Sequence, residues 1–440
     1  MAPSARRTSR TTTGVRASPR AAVRSRHDRD WWRLRRGARR GFDAILPSGD
    51  LRQSLVALLL NSTTSFVAGA TLASITGTLR ALPGLLVLAP AAIGLRGNVF
   101  SALGNRLSTA VHLGTHSFSL RRDSVFGQNV AASMALTLQL SLLMSIGAGA
   151  LVLGLDISDS PAVIWKLALV SILGGALASL VVLGATVGLT LMAVRFGWDL
   201  DNLVAPTVST LGDVLTIPAL WLAAQLVDIP VVSPTLSALL VIGTVVVGVL
   251  VWRTRLEALR RITRESAPVL LLAAGLSSLA GVVLEKRLEL FHENEALFIL
   301  LPAFVSSAGA LGGIMAARLA TAFQVGTLDP DPVPGRGSRQ LGLLVVVLAL
   351  PVALYNAVGS ELTALLIGRS GPGLLPLIAV CLVAGAFVTL FVVAVAYYST
   401  VVATRVGLDP DTYGPPVVTS SVDFVGAMTL IIVVLLLGIA

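Results

Sequence analysis

Charge is scarce in this sequence. Only 13% of its 440 residues are Asp, Glu, Lys or Arg, about half the share of an ordinary soluble domain, while 55% are hydrophobic. A chain so poor in charge cannot cover a water-facing surface, and its apolar excess requires lipid. There is one cysteine, Cys381, inside an apolar stretch, which excludes an internal disulfide and a metal-thiolate cluster. The four histidines carry no duplicated or ligand-like spacing: His112 stands opposite Gln324 when the chain is aligned with itself, and neither His116 nor His292 has a recognisable second ligand. No secretory signal is expected, because the first 50 residues lack a short apolar core followed by a small-residue cleavage site.

What is present is a series of long apolar stretches from about Leu51 to the end, each near or beyond the ~20 residues that cross a ~30 Å hydrocarbon core as a helix. Eleven spans are expected, centred near Ser65, Ile93, Ser141, Leu177, Asp213, Gly243, Leu276, Ala308, Leu348, Val383 and Gly426. Glycine recurs throughout, as where membrane helices pack closely without a hydrophobic force between them. The fold class is all-α, an integral membrane protein.

Thirteen arginines fall between Arg6 and Arg40. Beside a membrane span they hold their end in the cytoplasm and touch anionic lipid, and no nucleic-acid partner is inferred. Residues 1–50 are read as a cytoplasmic tail, disordered to about Ala22, with Trp31, Trp32, Leu34, Phe42, Ile45 and Leu46 suggesting a helix on the inner surface. Counting spans from a cytoplasmic N-terminus turns Arg106, Arg121, Arg122, Arg195, Arg253–Arg264, Arg318–Arg339 and Arg405 inward. The outward connections then carry Asp156, Asp159, Asp228 and Glu361, together with Lys286 and Arg287 balanced by Glu285, Glu289, Glu293 and Glu295. That acidic cluster either gathers cations or is a solvated loop. An odd number of spans leaves the C-terminus outside, so the chain is expected in the cell membrane as a multi-pass protein.

Compared with itself at an offset near 210, the chain repeats. The run from Pro90 to Thr115 aligns without gaps on Pro302 to Thr327, pairing Gly97 with Gly309, Arg106 with Arg318 and Thr109 with Thr321. Farther on, Arg195 to Leu215 aligns with Arg405 to Val425, pairing Asp199 with Asp409, Asp201 with Asp411, Pro206 with Pro416 and Asp213 with Asp423. The domains expected are therefore a first repeat at 51–228, a linker span within 229–256 and a second repeat at 257–440. Five spans per repeat would insert the halves in opposite senses, and the linker span restores a common orientation. Two parallel repeats then face each other about an axis along the membrane normal, so one chain imitates a dimer and a monomer suffices.

Asp213 and Asp423 are the first candidates for a site. Each lies twelve residues beyond an aspartate at the inner edge, which is about 18 Å into the membrane at 1.5 Å per residue. A carboxylate near the midplane costs at least ~3 kcal/mol and is kept where it meets water, a proton or a cation. Thr207, Ser209 and Thr210 precede one; Thr419, Ser420 and Ser421 precede the other; Pro206 and Pro416 free backbone carbonyls. Carboxylates, hydroxyls and carbonyls make an all-oxygen environment suited to hard cations, and magnesium, which gives up water reluctantly, would be held largely through its hydration shell.

These motifs carry a resemblance. Pro90-AAIGLRGN with Arg106-LST resembles the second-helix motif of the MgtE-type magnesium transporters and solute carrier family 41, and Ala205-PTVSTLGD and Pro416-VVTSSVDFVG resemble that family's last-helix motif, which bears the pore aspartate. The resemblance covers residues 51–440 and implies a fused pseudo-dimer that is no enzyme. It places a divalent cation, most simply Mg2+, between Asp213 and Asp423 as cargo, with no cofactor. Gly94, Gly97, Asn98, Ser306 and Gly309 then support the pore, with Pro206, Ser209, Thr210, Pro416, Thr419 and Ser420 around the carboxylates. Gly94 becomes Ser306 and Asn98 becomes Ala310 between the repeats, so the pore is asymmetric, and Asn98 either offers an oxygen to a hydrated ion or joins two helices. Asp199, Asp201, Asp409 and Asp411 at the inner mouth hold a second cation or cap helices. Arg106 and Arg318 close that mouth or simply anchor it. Bacterial members carry magnesium-sensing cytoplasmic domains for which this sequence has no length, so gating by that route is not expected.

Two other classes stay open from the residues alone. One is a proton- or sodium-coupled transporter of an organic solute, disfavoured by the scarcity of aromatics around the site. The other is an intramembrane aspartyl protease, whose Tyr-Asp and Gly-x-Gly-Asp contexts are not matched by Leu211-Gly-Asp-Val or Ser421-Val-Asp-Phe.

Overall fold

The computed structural model describes residues 48–112, 121, 124–196, 200–408 and 410–439, without the side chains of 48–50, 109, 111, 112, 200–206, 209, 292, 293 and 411–413. The tail expected over residues 1–50 lies almost wholly outside the described residues. Met1–Ser54 forms one unit, described only from Ser48 as the opening turns of a helix, and Leu55–Ala440 forms a second, compact unit.

Every described element is helical. The first half holds α1 (Ser48–Ser74), the short α2 (Thr76–Ala81), α3 (Leu85–His112), α4 (Val125–Gly154), α5 (Val163–Phe196) and α6 (Leu200–Ala224). A lone helix follows, α7 (Val232–Arg253). The second half holds α8 (Glu257–Glu285), the short α9 (Leu288–Glu293), α10 (Ala296–Val325), α11 (Arg336–Leu366), α12 (Leu374–Val406) and α13 (Pro410–Leu436). The same order of one long, one short and four long helices occurs twice, and the short helices begin at positions related by the spacing that relates Pro90 to Pro302.

Ten of the described helices are long and apolar enough to cross a membrane, and the eleventh, α6, contributes the shorter apolar stretch Thr210–Ala224. This is a multi-pass membrane protein, and each expected span centre falls within a long helix. Many of their polar residues turn inward: Ser62, Ser65, Ser133, Ser141, Thr186, Thr190 and Thr216 are all buried. Many bond a carbonyl one turn back, as Thr186 does to Val182, which satisfies a hydroxyl where water is absent. Leu239, Ile242, Val246 and Leu250 of α7 are exposed, the signature of a helix whose outer face meets lipid. It leans on α5 and α4.

Packing inside each half follows one plan. In the first, α6 lies against α3 and α5, and α4 against α5; in the second, α13 lies against α10 and α12, and α11 against α12. The leading helices break this separation. α8 packs on α3 and α4 of the first half, while α1 packs on α10 and α11 of the second: a methyl group at Gly69 would stand 2.6 Å from the Ile299 Cα, and the Phe66 and Tyr355 rings have centroids 5.8 Å apart. Glycine is needed at these crossings. Pro90 and Pro302 have no N–H, so the carbonyls of Leu86 and Phe298 one turn earlier lose their helical donors. Gly281 approaches the Leu86 carbonyl and Gly69 that of Phe298, close approaches in which a Cα–H substitutes weakly for the missing donor.

Candidate cation site

Asp213 and Asp423 lie near the midpoints of α6 and α13. Both face one cavity of about 200 Å³, lined by residues of α1, α3, α6, α8, α10 and α13. Both carboxylates are only half-buried, since the cavity itself exposes them. The wall from α3 presents Pro90, Gly94, Gly97 and Asn98, spaced to share one helical face; the wall from α10 presents Pro302, Ser306, Gly309 and Ala310, the same four positions of the second repeat.

Each carboxylate is oriented by a serine from another helix, Asp423 by one from its own half and Asp213 by one from the other half. Ser277 of α8 donates to Asp423 Oδ2 at 2.5 Å. Ser306 of α10 donates to Asp213 Oδ2 at 3.2 Å and in turn accepts from Asn61 Nδ2 of α1 at 3.0 Å. Gly94 is the counterpart of Ser306, and a methyl group there would lie 3.8 Å from both Asp423 Oδ2 and Ser277 Oγ. Both serines come from the second half, one from its first long helix and one from its second, so two carboxylates in equivalent places have unlike partners.

Among the residues expected at the site, Asp213, Asp423, Gly94, Gly97, Asn98, Ser306, Gly309 and Thr419 line the cavity together. Thr419 returns its hydroxyl proton to the Pro415 carbonyl at 3.0 Å, in the stretch where Pro415 and Pro416 interrupt the donors of α13. Ser420 is buried away from the cavity, and Thr210 is half-buried on α6 outside its lining. Pro416 lies within α13 beyond the lining as well. Pro206 and Ser209 are on α6 with side chains outside the described residues. Asp199 and Asp409 lie outside the described residues, and so do the side chains of Asp201 and Asp411, His112 and His292. Arg106 turns to α4, its Nε donating to Asn129 Oδ1 at 2.8 Å, a tie between helices and not a plug in the cavity. Arg318 is half-buried on α10.

Three residues of the site were missed by reading the sequence: Asn61 and Ser65, which line the cavity, and Ser277, which donates to Asp423. The signal existed. Leu59-Leu60, Ser65 and Ala68-Gly69 align with Leu271-Leu272, Ser277 and Ala280-Gly281 at the spacing that relates Pro90 to Pro302. A match of four common small or apolar residues and one serine stands out only once the leading helices are known to reach the site.

The cavity can hold a hard cation. Among the described residues its polar groups are carboxylates, hydroxyls and amides, no aromatic side chain lines it, and its volume leaves ample room for an ion that keeps several of its waters. Among the described residues no group of three or more His, Cys, Asp or Glu is arranged to strip a metal bare and hold it. Two carboxylates with polar neighbours suit an ion that must also leave.

Comparison with known proteins agrees with this chemistry. The sequence model of the MgtE family, described as a divalent cation transporter, matches residues 89–223 and 301–433, more than half of the chain. The two segments run from the prolines of α3 and α10 to the ends of α6 and α13 and leave out α1 and α8. Solute carrier family 41 member 3 of Mus musculus is 25% identical over 79% of this chain and 74% of its own length. Its counterpart in Rattus norvegicus is 26% identical over 54% of this chain and 52% of its own. Solute carrier family 41 member 2 of Gallus gallus is 23% identical over 79% of this chain and 63% of its own length. No solved structure matches the chain.

Proposed function

The chain belongs to the MgtE family of divalent cation transporters, a family of transporters and not of enzymes, and on that premise we propose that it moves Mg2+ across the cell membrane through the cavity between Asp213 and Asp423. One observation carries the reading: two carboxylates from equivalent helices of the two halves face a single cavity inside the bundle, with hydroxyls already turned on them. In hydrocarbon such a pair is retained at a cost of at least several kcal/mol, which a passing cation offsets. The two halves act as repeats spanning 51–228 and 257–440, joined by α7, and one chain is the working unit.

Mg2+ fits better than a softer ion because every polar atom facing the cavity is oxygen or amide nitrogen. It fits better than an organic solute because the lining offers no ring to stack upon. The arginines at or just after the ends of α3, α5, α7, α10 and α12 favour an N-terminus in the cytoplasm and a C-terminus outside.

The test is Mg2+ flux into liposomes carrying the purified protein, with sodium and proton gradients imposed separately. Asp213→Asn and Asp423→Asn, each near-isosteric, should each abolish uptake while the protein remains folded. Full uptake in the folded double variant would overturn the axial site, and gradient dependence would separate exchange from passive flow.

A further inference from the structure

Arg96 is a buried cation that no carboxylate pairs with among the described residues. It sits on α3 between two residues that line the cavity, Gly94 and Gly97, yet its own side chain is 0% exposed and turned away from that cavity. One guanidinium nitrogen donates to the Ala92 carbonyl of its own helix. Nε and Nη2 have no partner among the described residues, and no carboxylate stands within ion-pair distance. The group lies between α4 and α5, where Gly175 leaves it room: a methyl there would come 2.6 Å from Nη2 and 2.7 Å from Ser141 Oγ. Arginine keeps its proton under ordinary conditions, so this is a permanent positive charge.

The second half lacks it. The position equivalent to Arg96 is Ala308, and the place of the guanidinium is a cavity of about 20 Å³ lined by Ala308, Asn356, Gly385 and Thr389 among others, with Gly385 the counterpart of Gly175. The fold therefore tolerates alanine at this position, and the arginine is not required to build a half.

An unpaired buried charge is strongly destabilising and is kept where its field is used. The field of Arg96 falls on the two midspan carboxylates. Gly212, the residue before Asp213, packs on Arg96 so closely that a methyl on it would stand 3.6 Å from the Arg96 Cβ. The guanidinium and the cavity are on opposite faces of one helix, roughly 10 Å apart, with packed protein between them.

We propose that Arg96 is a fixed countercharge for the cation site, weakening its hold on divalent ions so that they are released. This rests on the cation reading of Asp213 and Asp423. With Arg96 the empty site carries a net charge of one negative and the loaded site one positive, so neither state is deeply favoured. Without it the empty site is doubly negative and the loaded site neutral, which traps the ion. At ~10 Å and an effective dielectric near 20, the repulsion is on the order of tenfold in affinity for each unit of ion charge, hence about a hundredfold for a divalent ion.

The experiment measures Mg2+ and Ca2+ affinity by calorimetry on purified wild type, Arg96→Ala, Arg96→Met and Arg96→Lys, alongside Mg2+ flux in liposomes. Arg96→Ala copies the second half, and Arg96→Met keeps most of the volume. Both should bind Mg2+ and Ca2+ more tightly by the same factor, on the order of a hundredfold, because the effect scales with charge and not with ion chemistry. Both should show a lower KM and a lower maximal flux, and Arg96→Lys should restore wild-type values. Affinity unchanged or weakened in folded Arg96→Ala and Arg96→Met, or tightening of Mg2+ and Ca2+ by clearly different factors, overturns the countercharge. Failure of the underlying reading looks different: Mg2+ would not bind wild type, or would bind Asp213→Asn/Asp423→Asn as tightly as wild type.

Discussion

Ser277 donates a 2.5 Å hydrogen bond to Asp423 although the two lie on helices at opposite ends of the second half, and its counterpart Ser65 lines the same cavity from α1. The leading helix of each repeat thus lines the cavity of the proposed cation site and is not a peripheral anchor.

Ser277→Ala should cut Mg2+ flux roughly tenfold or more, since a hydrogen bond to a charged group contributes about 1.5–3 kcal/mol. Ser277→Thr should retain most activity. Ser306→Ala should cost less, because Asn61 Nδ2, which now donates to Ser306, is left free to turn to Asp213. Equal losses in the two alanine variants, measured by fluorescent Mg2+ uptake, would contradict the asymmetry.

The crossings at Gly69 and Gly281 make a second prediction. A methyl at Gly69 meets the Ile299 backbone at 2.6 Å, and one at Gly281 meets the Leu86 carbonyl. Gly69→Val and Gly281→Val should each cost about 1–3 kcal/mol or prevent assembly, read as a lowered melting temperature in detergent. Gly184→Ala, with nothing within 4 Å of the added methyl, should be neutral or stabilising by up to ~1 kcal/mol.

Because α1 and α8 each pack on the other half, fragments 1–256 and 257–440 should be inactive in separate liposomes and recover uptake when produced together. Transport by either fragment alone would show that a half completes the site unaided.

Glu285 ends α8 at the start of α3, its carboxylate accepting from Gly84 N at 3.0 Å and Leu86 N at 3.2 Å. A negative group there satisfies orphan amides and meets the positive end of the helix dipole. Glu285→Gln, which keeps an acceptor and loses the charge, should lower stability by about 0.3–1 kcal/mol. Glu285→Ala, which leaves both amides bare, should lower it by about 1–3 kcal/mol. Melting midpoints in detergent should fall in that order, and the reverse order would reject the capping role.

Much of this was legible without coordinates, for identifiable reasons. Span length and apolarity are local properties, so the centres near Ser65, Ile93 and Asp213 fall inside helices. Asp213 and Asp423 announce themselves because a carboxylate in the middle of an apolar run is costly wherever the run packs. Arg96 is as costly, yet it sits inside a motif whose glycines and asparagine drew the attention. Arg106 points the other way: its position near the end of an apolar span suggested either a plug or an anchor at the inner mouth, and packing turns it to Asn129.

The sequence by itself determined that the chain is a helical membrane protein, that its helical plan recurs, and that two carboxylates lie at equivalent depths, since hydropathy, periodicity and the cost of charge in hydrocarbon act on each segment alone. Tertiary structure decided which helices close the cavity, that α1 and α8 reach into the opposite halves, and that Ser277, Ser306 and Asn61 orient the two aspartates differently. Those choices depend on close approaches such as Gly69 to Ile299 and Gly281 to Leu86, made between residues more than 190 positions apart. Helix crossings of this kind are fixed by shape and backbone hydrogen-bond supply at the contact, and a one-dimensional pattern carries neither.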